Sequence, residues 1–357
     1  MSYLKKLHLS NCRIHENINF SFKKGINLIV GDNGSGKTTI LEAIYILSVK
    51  KSFKKSHINE YKSLDKDELF IKGEVWRGEI SEERSYHYVK NTKKFIINEK
   101  NINKLEDCYK NFRVLYYYPV QKVMIFESSE DRRTYFDLIF THLDDSYLTL
   151  LRKYRNILYQ KNALLKKKNS NLVINSVIED VVNQEFIKTI DLITTKRREL
   201  IGLLNEKLAL KLISCGKMKK MSIKYEQNVD KYKLINLSSE EKLKEINQAC
   251  VLFGAHKDDY KFIIKEKEVK IYSSFGQQKN FILILLEIVV EILKTQDINV
   301  IILIDDAFCE LDAKHRNELI ESLKEENQVF LSVQDTYGLS LNLLEEINII
   351  KLGGDNG

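Results

Sequence analysis

Gly31-Asp32-Asn33-Gly34-Ser35-Gly36-Lys37-Thr38 fits the pattern G-x-x-x-x-G-K-[ST], and its flanks suit it. Ahead of it, Ile26-Asn27-Leu28-Ile29-Val30 reads as a buried strand. Behind it, Thr39-Ile40-Leu41-Glu42-Ala43-Ile44-Tyr45-Ile46-Leu47 reads as a helix. Strand, glycine-rich turn and helix N-terminus form an anion site. Backbone N–H groups converge on phosphate oxygens, and the positive end of the helix dipole favours negative charge. Lys37 is then placed to reach the outer phosphates and the Thr38 hydroxyl to sit on Mg²⁺. A chance glycine-rich turn before a lysine would not account for both flanks.

The 357 residues suffice for one large domain or two to three smaller ones, and 43% hydrophobic content supports a sizeable core. The apolar run 281–293 is interrupted by Glu287 and Glu291, so it reads as a buried or amphipathic helix and not as a membrane span. The opening Met1-Ser2-Tyr3-Leu4-Lys5-Lys6 has no secretory apolar region, which leads to the expectation of a cytoplasmic protein without a membrane partner. Five cysteines (Cys12, Cys108, Cys215, Cys250, Cys309) show neither metal-ligand nor redox spacing and read as reduced, mostly buried thiols. The net charge of +7 suits a polyanionic partner only weakly, because lysine is abundant throughout, together with Asn and Ile. Pro119 is the one proline; there is no low-complexity linker and no repeat of fixed period.

Strand patterns occur at 4–9, 18–22 and 26–30, and again at 68–76, 84–89 and 94–98, where alternation suggests antiparallel strands wet on one face. A basic, polar loop spans 50–57, and 114–118 reads as a strand ended by Pro119. From about 127 to 247 apolar residues recur at helical spacing, as in a helical hairpin or short coiled arm. Strands resume at 251–253, 260–264, 300–304 and 328–333, with a closing strand at 347–352. The expected fold class is α/β: one P-loop ATPase head split in sequence (1–125 and 248–357) around an inserted, mostly helical arm (126–247).

Val300-Ile301-Ile302-Leu303-Ile304-Asp305-Asp306 is an apolar run ending in two carboxylates, a buried parallel strand with its ligand end acidic. Asp305 is the Walker B carboxylate beside the Mg²⁺ held by Thr38; Asp306 is placed to orient or deprotonate an attacking water. Asp312, in Glu310-Leu311-Asp312, suits a plain helix N-cap, an interface, or both. Ser273-Ser274-Phe275-Gly276-Gln277-Gln278-Lys279 opens a helix far downstream of the P-loop. By itself it is either an ordinary capped helix start or part of a second subunit's phosphate site.

P-loop, Ser-x-Gly-Gln, Walker B and Glu-Leu-Asp, in that order, resemble the ABC-type ATPase heads of the SMC and recombination-mediator class. Within that class the chain is similar to the RecF family. The opening Leu7-His8-Leu9-Ser10-Asn11-Cys12-Arg13 carries the likeness, as do Leu41-Glu42-Ala43-Ile44, Arg132-Arg133 with Asp137, Gln160-Lys161-Asn162-Ala163-Leu164-Leu165, and Gly254-Ala255-His256-Lys257-Asp258-Asp259. Departures include Lys161 for an arginine, Ala255 for a proline, and Tyr118-Pro119-Val120-Gln121 where a Pro-Glu/Gly-Asp segment is usual; none removes a phosphate or Mg²⁺ ligand.

The resemblance implies a fold and a function together. It implies an SMC-like ATPase head that binds ATP and Mg²⁺, closes head to head as a homodimer with ATP, and hydrolyses it weakly, stimulated by DNA. It implies double-stranded and gapped DNA and mediator proteins of the RecR and RecO type as partners, in DNA repair and replication restart at the nucleoid. By matching, Gly31, Asp32, Asn33, Gly34, Ser35, Gly36, Lys37, Thr38 and Thr39 hold the nucleotide and Asn11 and Arg13 approach its base or ribose. Thr38 and Asp305 hold the metal, and Lys37 and Asp306 serve catalysis. Ser274, Gly276 and Gln277 reach the opposite subunit's γ-phosphate; Ser274, Gly276 and Asp312 line the dimer interface. Lys54, Lys55, Arg132 and Arg133 are the DNA-binding candidates, as sequence-independent phosphate contacts. Two other classes compete. A transporter ATPase subunit would have a much shorter P-loop-to-signature spacing, and an overcoming-lysogenisation-defect nuclease would carry an acidic nuclease domain after the head.

Overall fold

The structure is a computed structural model that describes residues 2–53, 60–90, 92–109, 112–117, 128–214, 221–272, 275–309, 313–325 and 328–353. By packing it divides into two compact units: residues 1–121 with 296–357, and residues 122–295. Residues 248–295, which the sequence reading groups with the ATPase head, therefore pack with the helical unit.

In the first unit, β1 (Ser2–Cys12), β2 (His15–Ser21), β3 (Gly25–Val30) and α1 (Lys37–Val49) lead into β4 (Glu68–Arg77), β5 (Ile80–Val89), β6 (Thr92–Ile97) and β7 (Lys100–Asn101). After α2 (Leu105–Tyr109) comes β8 (Arg113–Tyr117). A six-stranded antiparallel sheet has the order β2-β1-β4-β5-β6-β7. In β1, Leu4 and Leu7 are both buried although three residues apart, an odd spacing for one strand face. The register shift between Leu4 and Lys6 adds one residue to β1 and restores the phase, so that Leu7 and Leu9 continue on the same face.

The second unit begins with α3 (Ser129–Leu143), α4 (Asp145–Asn169) and α5 (Ser176–Ser214). Then come β9 (Met221–Glu226), α6 (Lys231–Ile235), α7 (Ser239–Asn247), β10 (Asp259–Ile264), β11 (Lys267–Glu268), α8 (Val269–Tyr272) and α9 (Phe275–Thr295). The first unit resumes with β12 (Val300–Ile304), α10 (Ala313–Leu323), β13 (Gln328–Val333), α11 (Leu341–Glu346) and β14 (Asn348–Lys351). These complete a five-stranded parallel sheet of order β14-β3-β13-β12-β8. Every residue of β12 and β13 is buried, as covering on both faces requires. Gln328 and Ser332 are the polar residues among them. The Gln328 amide exchanges hydrogen bonds with the Leu4 backbone (2.8 Å each way) and donates to the Lys23 carbonyl (3.0 Å). It thereby fastens the parallel sheet to β1.

The 39 residues of α5 fold back on α4 through the short connection 170–175, making an antiparallel hairpin. Lys153–Glu185 (2.8 Å), the stacked rings of Tyr154 and Phe186 (6.1 Å) and the Lys168–Glu179 ion pair mark the seam. Two expectations fail here. Residues 221–226, inside the stretch read as helical, form β9 and pair with β10. Residues 251–253 form no strand, because side chains satisfy their backbone. Asn162 Oδ1 accepts from Val251 N (2.8 Å), Glu245 Oε1 accepts from Leu252 N (2.9 Å), and the Val251 carbonyl accepts from His256 Nε2 (3.1 Å).

Arg197 forms the centre of this unit. It is 2% exposed and donates to Asp137 (2.9 Å), Asp258 (2.7 Å), the Ala255 carbonyl (2.7 Å) and the Tyr147 hydroxyl (3.0 Å). Tyr147 donates to Asp137 and Tyr225 to Asp258, each at 2.5 Å. Burial pushes the Asp258 carboxyl up, and the guanidinium opposes it. His256 receives the Tyr154 hydroxyl on Nδ1 (2.7 Å), and desolvation lowers its pKa to about 4. Among the described residues no helix is long and apolar enough to cross a membrane. The described cysteines form no disulfide: Cys12 and Cys108 are buried, Cys250 is half-buried and Cys309 is exposed.

Replacing Arg197 by methionine leaves two buried carboxylates facing each other. It should lower stability by about 3–5 kcal/mol in urea denaturation. A second expectation concerns pH. Folded His256 stays neutral down to about pH 4, whereas the unfolded chain binds its proton near 6.5. Its stabilisation is complete above 6.5 and is lost as pH falls toward 4. His256→Gln should flatten the fall in urea midpoint between pH 7 and 4.5, provided the variant is folded at pH 7.

Candidate functional site

The loop between β3 and α1 turns on two glycines in the left-handed region, Gly34 (φ 85°) and Gly36 (φ 91°). At Gly36 a Cβ would also fall 2.2 Å from His15 Nε2, so the start of β2 packs directly on the loop. Burial lowers the His15 pKa and favours the neutral ring there. Helix α1 starts at Lys37 with no side-chain cap and no acidic residue in its first turn. Its positive end is therefore left for an incoming anion. Lys37 is buried; its Nζ donates to the Gly31 and Asp32 carbonyls (2.6 and 2.8 Å), which hold the ammonium against the loop. The Ser35 hydroxyl is buried and has no hydrogen-bond partner among the described residues, an orphaned donor within the cradle.

The parallel sheet brings the second half of the site to the first. Strands β3, β12 and β13 end side by side, and their carboxyl ends carry the P-loop, Asp305-Asp306 and Gln334. The Thr38 hydroxyl donates to Asp305 Oδ2 at 2.8 Å. The other carboxylate oxygen of Asp305 accepts from Ser332 on β13, and its backbone N–H reaches the Tyr117 carbonyl on β8 (2.8 Å). Asp306 has φ 45°, a conformation that costs a non-glycine residue about 1–2 kcal/mol. Its N–H is held by the same Ser332 hydroxyl at 2.8 Å. A cavity of about 280 Å³ is lined by Asn33, Gly34, Gly36, Lys37, Thr38 and Thr39 on one side and by Arg13, Ile14 and Asp306 on the other. Among the described residues no group of three or more His, Cys, Asp or Glu side chains could hold a metal. A hydroxyl beside a carboxylate supplies hard oxygen ligands, which fit a Mg²⁺ that takes its remaining ligands from phosphate and water.

Arg13 reaches this cavity because Asn11 (φ 56°) and Arg13 (φ 51°) turn the chain between β1 and β2. Its guanidinium lies 2.9 Å from Glu42 and 5.0 Å from the centre of the Tyr61 ring. The Asn11 carbonyl accepts from Ser63 N (3.0 Å), and Asn11 is not among the residues lining the cavity.

Other matched residues lie elsewhere. Gly276 and Gln277 fall in the first turn of α9 in the second unit. Ser274, Asp312, Gln121, Lys54 and Lys55 lie outside the described residues. Arg132 is buried and grips Asp259 with two hydrogen bonds (2.7 and 2.8 Å). That guanidinium is committed to the fold, contrary to the expectation of a DNA contact. Arg133 is half-buried and donates to the Asp258 carbonyl at 2.8 Å.

His15, Tyr61, Ser332 and Gln334 are not singled out by the sequence, and Glu42 enters there only within the helix after the P-loop and the 41–44 likeness, with no site role. Gln334 donates to Asn33 Oδ1 of the P-loop (2.9 Å). Ser332 interrupts the apolar run of β13 and Gln334 follows its last residue, which was the available signal for both.

A family model described as an AAA domain matches residues 6–351. The DNA replication and repair protein RecF of Cytophaga hutchinsonii is 30% identical over 92% of this chain and 89% of its own length. The protein of the same name from Ligilactobacillus salivarius is 28% identical over 99% and 96%. Among solved structures, the recombination mediator protein RecF-ATP of the RecFOR pathway superposes with a TM-score of 0.86 at 24% identity, covering 95% of this chain and 94% of that one. The Smc head domain of Pyrococcus furiosus, with an extended coiled coil, matches with a TM-score of 0.56 at 16% identity, covering 98% and 93%. These last two likenesses concern the fold, an α/β head of the RecF and SMC kind. With the family model spanning nearly all of it and full-length relatives at this identity, the chain belongs to the RecF family of AAA-domain DNA replication and repair proteins.

Proposed function

We propose that this chain is an ATP-dependent DNA-binding protein of recombinational repair and replication restart. It closes head to head as an ATP-bound homodimer on double-stranded or gapped DNA and acts with RecR- and RecO-type mediators in the cytoplasm. The observation that carries the reading is the Thr38–Asp305 hydrogen bond at the mouth of an uncapped P-loop helix. ATP is the nucleotide named for the solved RecF neighbour, and RecFOR is the pathway named with it.

The proposed chemistry divides among the chain's own groups. The amides at the start of α1 and the Lys37 ammonium bind the triphosphate. Thr38 and Asp305 hold Mg²⁺, which when bound neutralises charge on the outer phosphates. Asp306 orients a water for attack on the γ-phosphate and takes up its proton. Ser274, Gly276 and Gln277 of one subunit complete the site of the other, with Asp312 at the interface. Hydrolysis is slow and DNA-stimulated, so ATP works as a switch. Lys54, Lys55 and Arg133 remain the proposed phosphate contacts, giving affinity that falls with salt.

Sedimentation with ATP, ADP and gapped DNA tests this reading. ATP, and not ADP, should produce dimers; Lys37→Met should lose nucleotide binding, and Asp306→Asn should accumulate the ATP dimer. A parent that stays monomeric with ATP, together with an Asp306→Asn variant that behaves like it, would overturn the head-to-head mechanism.

A further inference from the structure

Glu42 has no role in the phosphate site as described so far, yet its setting is unusual. It sits on α1, four residues beyond Thr38, with its side chain fully buried. Uncompensated burial of a carboxylate is costly, so such a group persists only with charged or hydrogen-bonding partners. Two of its partners, Arg13 and Ser52, come from outside α1. One carboxylate oxygen lies 2.9 Å from Arg13 Nη2, and the other accepts from the Ser52 hydroxyl.

Arg13 is otherwise guided mostly through its backbone and the face of a ring. Its N–H donates to the Tyr61 carbonyl (2.9 Å), its carbonyl accepts from Ser63 (2.5 Å), and its guanidinium lies over the Tyr61 ring. The Nε contact to the Glu60 carbonyl is long, at 3.4 Å. Tyr61 in turn donates its hydroxyl to the Thr39 carbonyl on α1. A long side chain with a quarter of its surface exposed is thus anchored at its tip by one buried charge, on the helix that begins the phosphate cradle. Without that charge, the guanidinium has the larger cavity beside it, about 570 Å³ and lined by Arg13, Lys62, Asp67 and Tyr88 among others, into which to swing.

We propose that Glu42 is a positioning residue: its buried carboxylate holds the Arg13 guanidinium at the rim of the phosphate cavity, so that Arg13 meets the nucleotide already oriented. This rests on the reading of the site as an ATP site. Glu42 does not line the cavity and bears on the nucleotide through Arg13. Its contribution belongs to nucleotide binding, because a pre-oriented cation lowers the ordering cost of association.

The test is a cycle of Glu42→Gln, Arg13→Met and the double variant, with ATP affinity measured by calorimetry and KM and kcat measured separately. Glu42→Gln should weaken ATP binding and raise KM about tenfold, with kcat changed less than twofold. In the Arg13→Met background the same change should have almost no effect, since the residue through which it acts is gone. Glu42→Asp keeps the charge but withdraws it by one methylene. It is the second variant should the glutamine disturb folding, and it should weaken ATP in the same direction. ATP affinity within twofold of the parent for both Glu42 variants would overturn the inference, as would an equal loss in the presence and absence of Arg13. A parent that binds no ATP at all would instead overturn the reading of the site itself.

Discussion

The carboxylate of Asp305 is the interaction on which the head depends. One oxygen takes the Thr38 hydroxyl of α1, the other takes the Ser332 hydroxyl of β13, and its backbone N–H is bonded to β8. Three separate pieces of chain, far apart in sequence, are thereby brought into register around one anion. Such a group is tolerated at 5% exposure because its acceptor sites are used, and it becomes more favourable still when a cation arrives between it and Thr38. The strained backbone of Asp306 follows from the same arrangement. After Asp305 is fixed to its neighbours, the chain leaves the sheet through a left-handed turn at Asp306, and Ser332 secures it there.

A second buried charge cluster organises the other unit. Arg197 lies between Asp137 and Asp258, so α3, α5 and the turn ahead of β10 are tied at one point. The motif residues from Gly254 to Asp259, read as a family fingerprint, serve this packing. Asp258 receives Arg197, Tyr225 and the Asn228 amide, His256 is wedged between Tyr154 and the Val251 carbonyl, and Asp259 holds Arg132. Gly254, at φ 153°, sits where a Cβ would come within 3.0 Å of the Tyr154 hydroxyl. A signature of polar residues therefore marks a buried scaffold here, and the polarity is explained by the need to satisfy a buried guanidinium.

Local chemistry made much of the fold legible. The P-loop helix, the apolar strand β12, the mostly apolar strands β3 and β13, and the alternating strand β4 were all readable, because period and burial follow directly from side-chain placement. Where the reading failed, a partner distant in sequence decided the outcome. Met221–Glu226 becomes a strand because β10 offers it an edge, and 251–253 does not because side-chain amides and carboxylates take up its backbone groups first. Arg132 read as a surface cation because nothing near it in sequence announces Asp259, 127 residues away.

At the site, the sequence by itself determined the chemical inventory: a phosphate-binding loop with its lysine and hydroxyl, and two carboxylates after an apolar strand. Spacing of small residues and the sign of side-chain charge are local properties and survive in one dimension. Only the tertiary structure decided the pairing: that Thr38 meets Asp305, that Ser332 fixes both Asp305 and the Asp306 backbone, and that Arg13 leans on a buried Glu42. Those choices depend on the order of strands in the parallel sheet and on which charges lose their water together. Both are properties of chain segments meeting in space, set by the burial of surfaces that no single segment carries.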